Sequence, residues 1–281
     1  MPSTDTHATM KTLSLLLALT SLLQTACAFA PISPRLRSTP LHAGGFEWED
    51  PTSELSDPGV DNPYKNPSLL DDDNQLKVDP ARLLSPRLKG CNVYLVGMMG
   101  CGKSAVGDAL ARRMSTYNFL DMDSILERAA GMSIPQIFET EGEDSFREAE
   151  AQVLDSVHAH IRCVISTGGG VVLRNMNWSK LQTGIVVYLK VDPEVIMKRI
   201  EGTDRPLLQT ENPLETLKTL MKERKEKYEQ ADVSVEVKED MDVGGVADAV
   251  IKALHEFIDD NPPAYKTAKA KAQADGLDWV N

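Results

Sequence analysis

The four cysteines of this 281-residue chain, Cys27, Cys91, Cys101 and Cys163, contain no Cys-x-x-Cys pair, so neither a zinc site nor a disulfide framework is expected. A basic stripe is missing too. The formal net charge is −12 at pH 7, which argues against nucleic acid as a partner, because binding to a phosphate backbone runs on clustered Lys and Arg. Internal repeats are absent. The apolar stretch over residues 10–23 falls short of the roughly 20 residues a membrane span needs. It has Lys11 near its start and the small-x-small site Ala26-Cys27-Ala28 behind it, the layout of a cleaved signal peptide over residues 1–28. No membrane partner is then expected of the mature protein.

Residues 29–45 carry Ser33, Arg35, Arg37 and Ser38 and no acid, a composition typical of transit peptides. The junction Ala26-Cys27-Ala28-Phe29-Ala30-Pro31 resembles the bipartite presequence of algae with secondary plastids, which implies the plastid stroma; the secretory pathway is the alternative. Charge then divides the rest. Residues 1–45 hold three Lys/Arg against one Asp, residues 46–80 two Lys against ten acids, and residues 81–281 hold 25 against 31. Two thirds of the negative charge thus sits in a Pro/Asp-rich stretch with little apolar surface to bury, and residues 46–88 read as an acidic linker or N-terminal extension. At the other end Pro262-Pro263 stops a helix, so residues 261–281 read as a tail.

Between these ends, over residues 89–260, short β-rich runs alternate with amphipathic helices, the form of a parallel α/β sheet. The strand candidates are Asn92–Val96, Asn118–Leu120, Cys163–Ser166, Ile185–Val191 and Val233–Val237, the last alternating like an edge strand. Ser124-Ile-Leu-Glu127 has capping-box spacing and predicts a helix beginning just after Asp123. Phe146, Ala149, Val153, Leu154 and Val157 form one apolar helical stripe, and Val246, Val250, Leu254 and Phe257 another.

The first strand runs into Gly97-Met98-Met99-Gly100-Cys101-Gly102-Lys103-Ser104, a G-x-x-x-x-G-K-S phosphate loop in its proper strand-to-helix setting. Its glycines can aim backbone N–H groups at a phosphate, Lys103 can reach the β- and γ-phosphates, and Ser104 can offer oxygen to Mg²⁺. A phosphate loop alone leaves motor, switch, transporter or kinase open. Asp121 and Asp123 end the second strand, where alternation places both carboxylates on one side, one for a metal through water and one for a hydroxyl; the competing reading is a helix cap. Gly168, Gly169 and Gly170 follow the third strand and allow backbone close to a ligand, or mark a plain loop. Arg147 and Arg224 could clamp a carboxylate, or be solvated helix charges. Glu201 to Pro213 is polar and rich in breakers, a candidate lid carrying Arg205 to meet charge on a transferring phosphoryl.

Taken in order, Tyr94-Leu-Val-Gly-Met-Met-Gly-x-Gly-Lys103, Phe119-x-Asp121-x-Asp123, Phe146-Arg147, Thr167-Gly-Gly-Gly170, Asn177-Trp178, Arg205-Pro-Leu-Leu208 and Glu223-Arg224-x-x-x-Tyr228 resemble the shikimate kinase family, and within it the plastid enzymes of plants. The likeness covers about Leu88 to Ile258. It implies a P-loop kinase fold, a parallel β-sheet flanked by helices with a mobile lid, and transfer of the γ-phosphoryl of ATP to the 3-hydroxyl of shikimate on the way to chorismate. Carried over, Lys103, Asp123 and Arg205 are catalytic; Gly97, Gly100, Cys101, Gly102, Lys103, Ser104, Ala105, Arg199 and Arg205 bind ATP, with Arg199 on the adenine. Asp123, Arg147, Gly168, Gly169, Gly170 and Arg224 bind shikimate, and Ser104 and Asp121 serve Mg²⁺. A monomer is expected.

Two positions depart from the family pattern. Ala105 replaces a second hydroxyl residue, which puts one α-phosphate contact in doubt, and Cys101 replaces a small residue. A thiol at a helix N-terminus is a candidate for modification, and an adduct on Cys101 is expected to block the phosphate cradle. The loop between Arg199 and Arg205 is also a residue shorter than in some relatives. Rival readings are a gluconate or nucleoside monophosphate kinase of the same fold, which would not need Asp123, Arg147, the triple glycine and Arg224 together, and a non-catalytic shikimate-kinase-like binding module, which is expected to have lost Lys103 or the substrate residues.

Overall fold

The computed structural model of the protein describes residues 62–65, 78–203 and 205–261. The expected signal peptide, transit peptide and C-terminal tail, except for Asn261, lie outside the described residues, as does most of the acidic extension.

Five strands, β1 (Val93–Val96), β2 (Asn118–Asp121), β3 (Cys163–Ser166), β4 (Ile185–Val191) and β5 (Val233–Val237), form one parallel sheet in the order β2-β3-β1-β4-β5. Their β-branched and apolar runs fall where the sequence places them. β1 and β3 are buried at every position, as strands covered on both faces must be, whereas β5 alternates buried and exposed residues at the sheet edge. Successive side chains of β1 enter opposite layers: Val93 and Leu95 join Leu110, Val187 and Val250, while Tyr94 and Val96 join Leu154, Ile165 and Tyr188.

The helices are α1 (Pro80–Leu88), α2 (Lys103–Met114), α3 (Met122–Ala130), α4 (Ile134–Val157), α5 (Asn175–Leu181), α6 (Pro193–Ile200), α7 (Pro213–Tyr228) and α8 (Val243–Asp260). Both expected stripes face the core, with Phe146, Val153, Leu154 and Val157 of α4 and Val246, Val250 and Leu254 of α8 buried. Burying each such side chain contributes roughly 1.5–3 kcal/mol. α4 is kinked at Gly142, whose φ of 81° is non-helical.

Two boundaries differ from the sequence reading. Residues 80–88, expected as the end of a linker, form α1: the Asp79 side chain accepts from the Ala81 N–H, Pro80 opens the helix, and Ala81, Leu84 and Leu88 are buried in the core. Its apolar face, three residues in nine, is short but fully used. In addition, α3 begins at Met122 instead of after Asp123, because Asp121 is its cap and accepts from the Ser124 N–H at 3.0 Å. The two carboxylates therefore do not alternate along a strand; Asp121 ends β2 and Asp123 sits in the first helical turn.

The connection from β1 crosses to one side of the sheet, to β2, and that from β3 to the other, to β4, so the parallel pair β1 and β3, with Leu95 opposite Ser166, marks a topological switch point. Ligands bind at the carboxyl ends of strands at such a switch point. β1 opens there into the phosphate loop and β3 into the triple glycine.

Candidate active site

The donor side is built mostly of backbone. Gly97, Gly100 and Gly102 all have positive φ, and Gly102 in the left-handed region caps α2 with no side-chain hydrogen bond, leaving the helix N-terminal N–H groups for a ligand. Lys103 is buried and folds back over the loop, its ammonium donating to the carbonyls of Gly97 at 2.9 Å and Met98 at 3.0 Å. Ser104 Oγ lies 3.3 Å from Ser166 Oγ, at the end of β3. Arg199, the last-turn residue of α6, donates to the Cys101 carbonyl at 3.4 Å, so it lies over the phosphate loop. Ala105 is exposed on the first turn of α2.

Cys101 lies in the phosphate loop with its thiol turned into the core. Its side chain is 1 % exposed, packs in the core, and its Sγ lies 3.7 Å from Lys103 Nζ. A buried thiol facing inward offers little to an alkylating reagent in this conformation.

The acceptor side is built of charged side chains drawn from separate elements. Asp123 of α3 is partly buried, and burial pushes its carboxyl above the ordinary range; Lys103 and Arg205 pull it down, while Asp121 adds to the rise. Arg147 of α4 is buried and fully engaged: Nη1 donates to Glu150 at 3.0 Å, and Nη2 and Nε donate to Glu143 at 3.0 and 3.2 Å. Burial opposes its charge, and the two carboxylates more than offset that cost. Glu150 itself is 2 % exposed, and its Oε1 has no hydrogen-bond partner. Burial raises its pKa against the pull of Arg147, with Asp123 adding to the rise.

The triple glycine lies against all of this. A Cβ on Gly168 would stand 2.0 Å from Glu150 Oε1 and 3.1 Å from Asp123 Oδ1, and one on Gly170 would stand 2.0 Å from Arg147 Nη1. A side chain on this loop would displace the Glu150 and Arg147 groups packed against it, so the glycines bring bare backbone up to those charges. Arg224 of α7 is buried and donates to the Gly169 carbonyl at 3.3 Å, which removes the solvated-charge reading for it as well. Arg205 precedes a short 3-10 turn, Pro206–Leu208, and its Nε is buried with no partner.

The residues expected to bind donor or acceptor lie near the β1 and β3 ends, Ser104 and Ala105 being exposed on the first turn of α2. Two residues escaped the sequence reading. Glu150 is three residues beyond Arg147 on one helix face, and that i, i+3 acid was the available signal. Ser166 is an ordinary strand residue until the register places it beside Ser104.

Residues 99–255, more than half of the chain, match the family model for shikimate kinase. The chain belongs to the shikimate kinase family. A shikimate kinase of Synechococcus sp. (strain CC9902) is 44% identical over 184 residues, 65% of this chain and 95% of the relative, and one of Nostoc punctiforme is 42% identical over 172 residues, 61% and 94%. Among solved structures, a shikimate kinase from Acinetobacter baumannii in complex with shikimate is 37% identical, covers 64% of this chain and 99% of its own, and superposes with a TM-score of 0.58. The function is accordingly that of a shikimate kinase, an ATP-dependent small-molecule kinase. The described residues contain no helix long and apolar enough to cross a membrane.

Proposed function

We propose that this site transfers the γ-phosphoryl of ATP to the 3-hydroxyl of shikimate with a division of labour between its two sides. The observation that carries the reading is Asp123, a carboxyl raised by burial that feels Lys103 and Arg205 on one side and Glu150 on the other. It sits where a hydroxyl and a phosphate would meet. In the step, the shikimate oxygen forms a bond to the γ-phosphorus, the bond from that phosphorus to the β,γ-bridging oxygen breaks, and Asp123 accepts the hydroxyl proton.

Lys103, on exchanging the Gly97 and Met98 carbonyls for phosphate oxygens, holds the β- and γ-phosphates together with the N–H groups of Gly100, Cys101, Gly102 and Ser104. Arg205 neutralises charge on the transferring group, and its unpartnered Nε supports that role. Arg199 binds nucleotide from above the loop. Arg147 and Arg224 hold the shikimate carboxylate, Glu150 orients Arg147, and Gly168 to Gly170 line the ring. The donor set suits Mg²⁺, a hard cation that keeps waters: Ser104 would supply a hydroxyl, and Asp121, whose Oδ1 caps α3, would help hold the hydrated ion. Bound there, Mg²⁺ would screen the phosphate charge.

The protein acts as a monomer in the plastid stroma after loss of residues 1–45, and the acidic residues from 46 remain as its extension; the cyanobacterial relatives fit a plastid origin. The assay that decides the chemistry incubates the purified protein with ATP and Mg²⁺ and follows ADP release with shikimate, gluconate or nucleoside monophosphates. Release that depends on shikimate alone is expected. Release with gluconate, or none with shikimate, would overturn the reading.

A further inference from the structure

Tyr228 closes α7 one turn beyond Arg224, and side chains four apart share a helix face. Both reach the same atom. The Tyr228 hydroxyl donates to the Gly169 carbonyl at 2.5 Å, and Arg224 Nη1 donates to it at 3.3 Å. The ring of Tyr228 is buried and stacks on Tyr188 of β4, with centroids 5.0 Å apart and planes 9° off parallel, so the hydroxyl is aimed by packing. Gly169 has no slack on its other side, where a Cβ would stand 3.1 Å from the Met99 nitrogen of the phosphate loop.

A carbonyl has two lone pairs, and one left bare in the interior costs about as much as a lost hydrogen bond. Without substrate, Arg224 and Tyr228 together satisfy the Gly169 carbonyl. When Arg224 turns its fork to a carboxylate, the weaker and longer of these two bonds is the one given up. We propose that Tyr228 is a positioning residue for shikimate binding: its hydroxyl holds the Gly169 carbonyl so that Arg224 can leave it for the substrate carboxylate without stranding a buried acceptor. The inference rests on the reading of Arg224 as a carboxylate ligand. It differs from a merely structural role for Tyr228, because the stack on Tyr188 serves packing and the hydroxyl serves Arg224.

Tyr228→Phe keeps the ring and its stack and removes only the hydroxyl. In the full chain, the KM for shikimate is expected to rise roughly tenfold, the worth of one buried hydrogen bond, while kcat and the KM for ATP stay within about twofold. Two further comparisons isolate the route. In an Arg224→Ala background Tyr228→Phe should add less than about twofold, and the methyl ester of shikimate, which lacks the charged carboxylate, should not register the change. A shikimate KM within twofold of wild type would overturn the inference. So would equal losses for shikimate and ATP with a lowered Tm, or the same tenfold factor in the Arg224→Ala background. If Arg224→Ala itself leaves the shikimate KM unchanged, the carboxylate-clamp reading fails first, and with it this one; if Arg224→Ala raises KM and Tyr228→Phe does not, only the role of Tyr228 fails.

Discussion

The two sides of the site solve recognition in opposite ways. On the donor side the eight-residue phosphate loop offers mostly backbone N–H groups, with Lys103 as its one buried charge, and Ser166 and Arg199 join it from other elements. The acceptor side buries Asp123, Arg147, Glu150 and Arg224, brought from three helices, and each must be offset by a partner. A phosphate is a generic anion and a helix N-terminus suffices for it. On the proposed reading a small hydroxy acid must be told from its neighbours, and fixed buried charges would do that at a cost in stability.

The largest effects should come where the sides meet. Asp123→Asn is expected to lower kcat by about 10²–10⁴-fold, with the KM for shikimate moving far less, since a general base acts in the transition state. Because burial raises this carboxyl, wild-type kcat/KM should fall as pH drops through a value above 3.8, the proton then occupying the base. A pH profile with no such acid limb, or an Asn variant within tenfold of wild type, would remove the base from the mechanism. Stability should separate the sides next. Arg147→Ala strands Glu150 in the interior and should cost about 3–5 kcal/mol, read as a loss of Tm. Arg147→Met with Glu150→Leu should recover most of that Tm while shikimate-dependent ADP release stays lost; a double variant as unstable as the single would show that the pair is not what burial taxes. Lys103→Met should abolish turnover with little loss of Tm.

The same contrast explains what was legible in the sequence. The phosphate loop could be read from one short run because its chemistry is local, and the strands could be read because parallel strands buried on both faces are nearly pure Val, Ile and Leu. The local geometry of Asp121 and Asp123 was misread: a Ser-x-x-Glu pattern at Ser124 competed with the acids before it, and the carboxylate that ends β2 won the cap. Glu150 pairs with Arg147 at a local i, i+3 spacing, but its contact with the Gly168 loop, like that of Ser166 with Ser104, is tertiary and no local period encodes it. α1 was lost in an acidic stretch because composition averages over the three apolar residues that dock it.

The smallest predicted effect lies away from both sides, where α1 meets α8. His255 is buried there between Arg87, whose Nη1 donates to its Nδ1 at 2.5 Å, and the Pro80 carbonyl, to which its Nε2 donates at 3.0 Å. This pattern requires the neutral ring. Asp259 also faces the cluster, bound to Arg87, to Lys65 at 2.8 Å and to Asn62 at 2.9 Å, and Tyr64 lies edge-on to the imidazole. Burial, with Arg87 adding to it, pushes His255 down to about 4 from 6.5, against the opposing pull of the Pro80 carbonyl and Asp259. The unfolded chain takes up a proton near pH 6.5 and the folded one does not, so the stability this ring provides is full above that pH and falls as pH drops towards 4. Between pH 7 and 5.5 the loss should be about 1 kcal/mol, a Tm decrease of roughly 2–4 °C. Asp259, held down to about 2, gives way only at lower pH and does not share this window. At the acceptor side the sign is reversed, since Asp123 and Glu150 are raised carboxyls that are relieved as pH falls. His255→Gln can donate to Pro80 and accept from Arg87 without titrating, so its Tm should change less than that of wild type between pH 7 and 5.5. Equal slopes for the two proteins would place the acid sensitivity elsewhere.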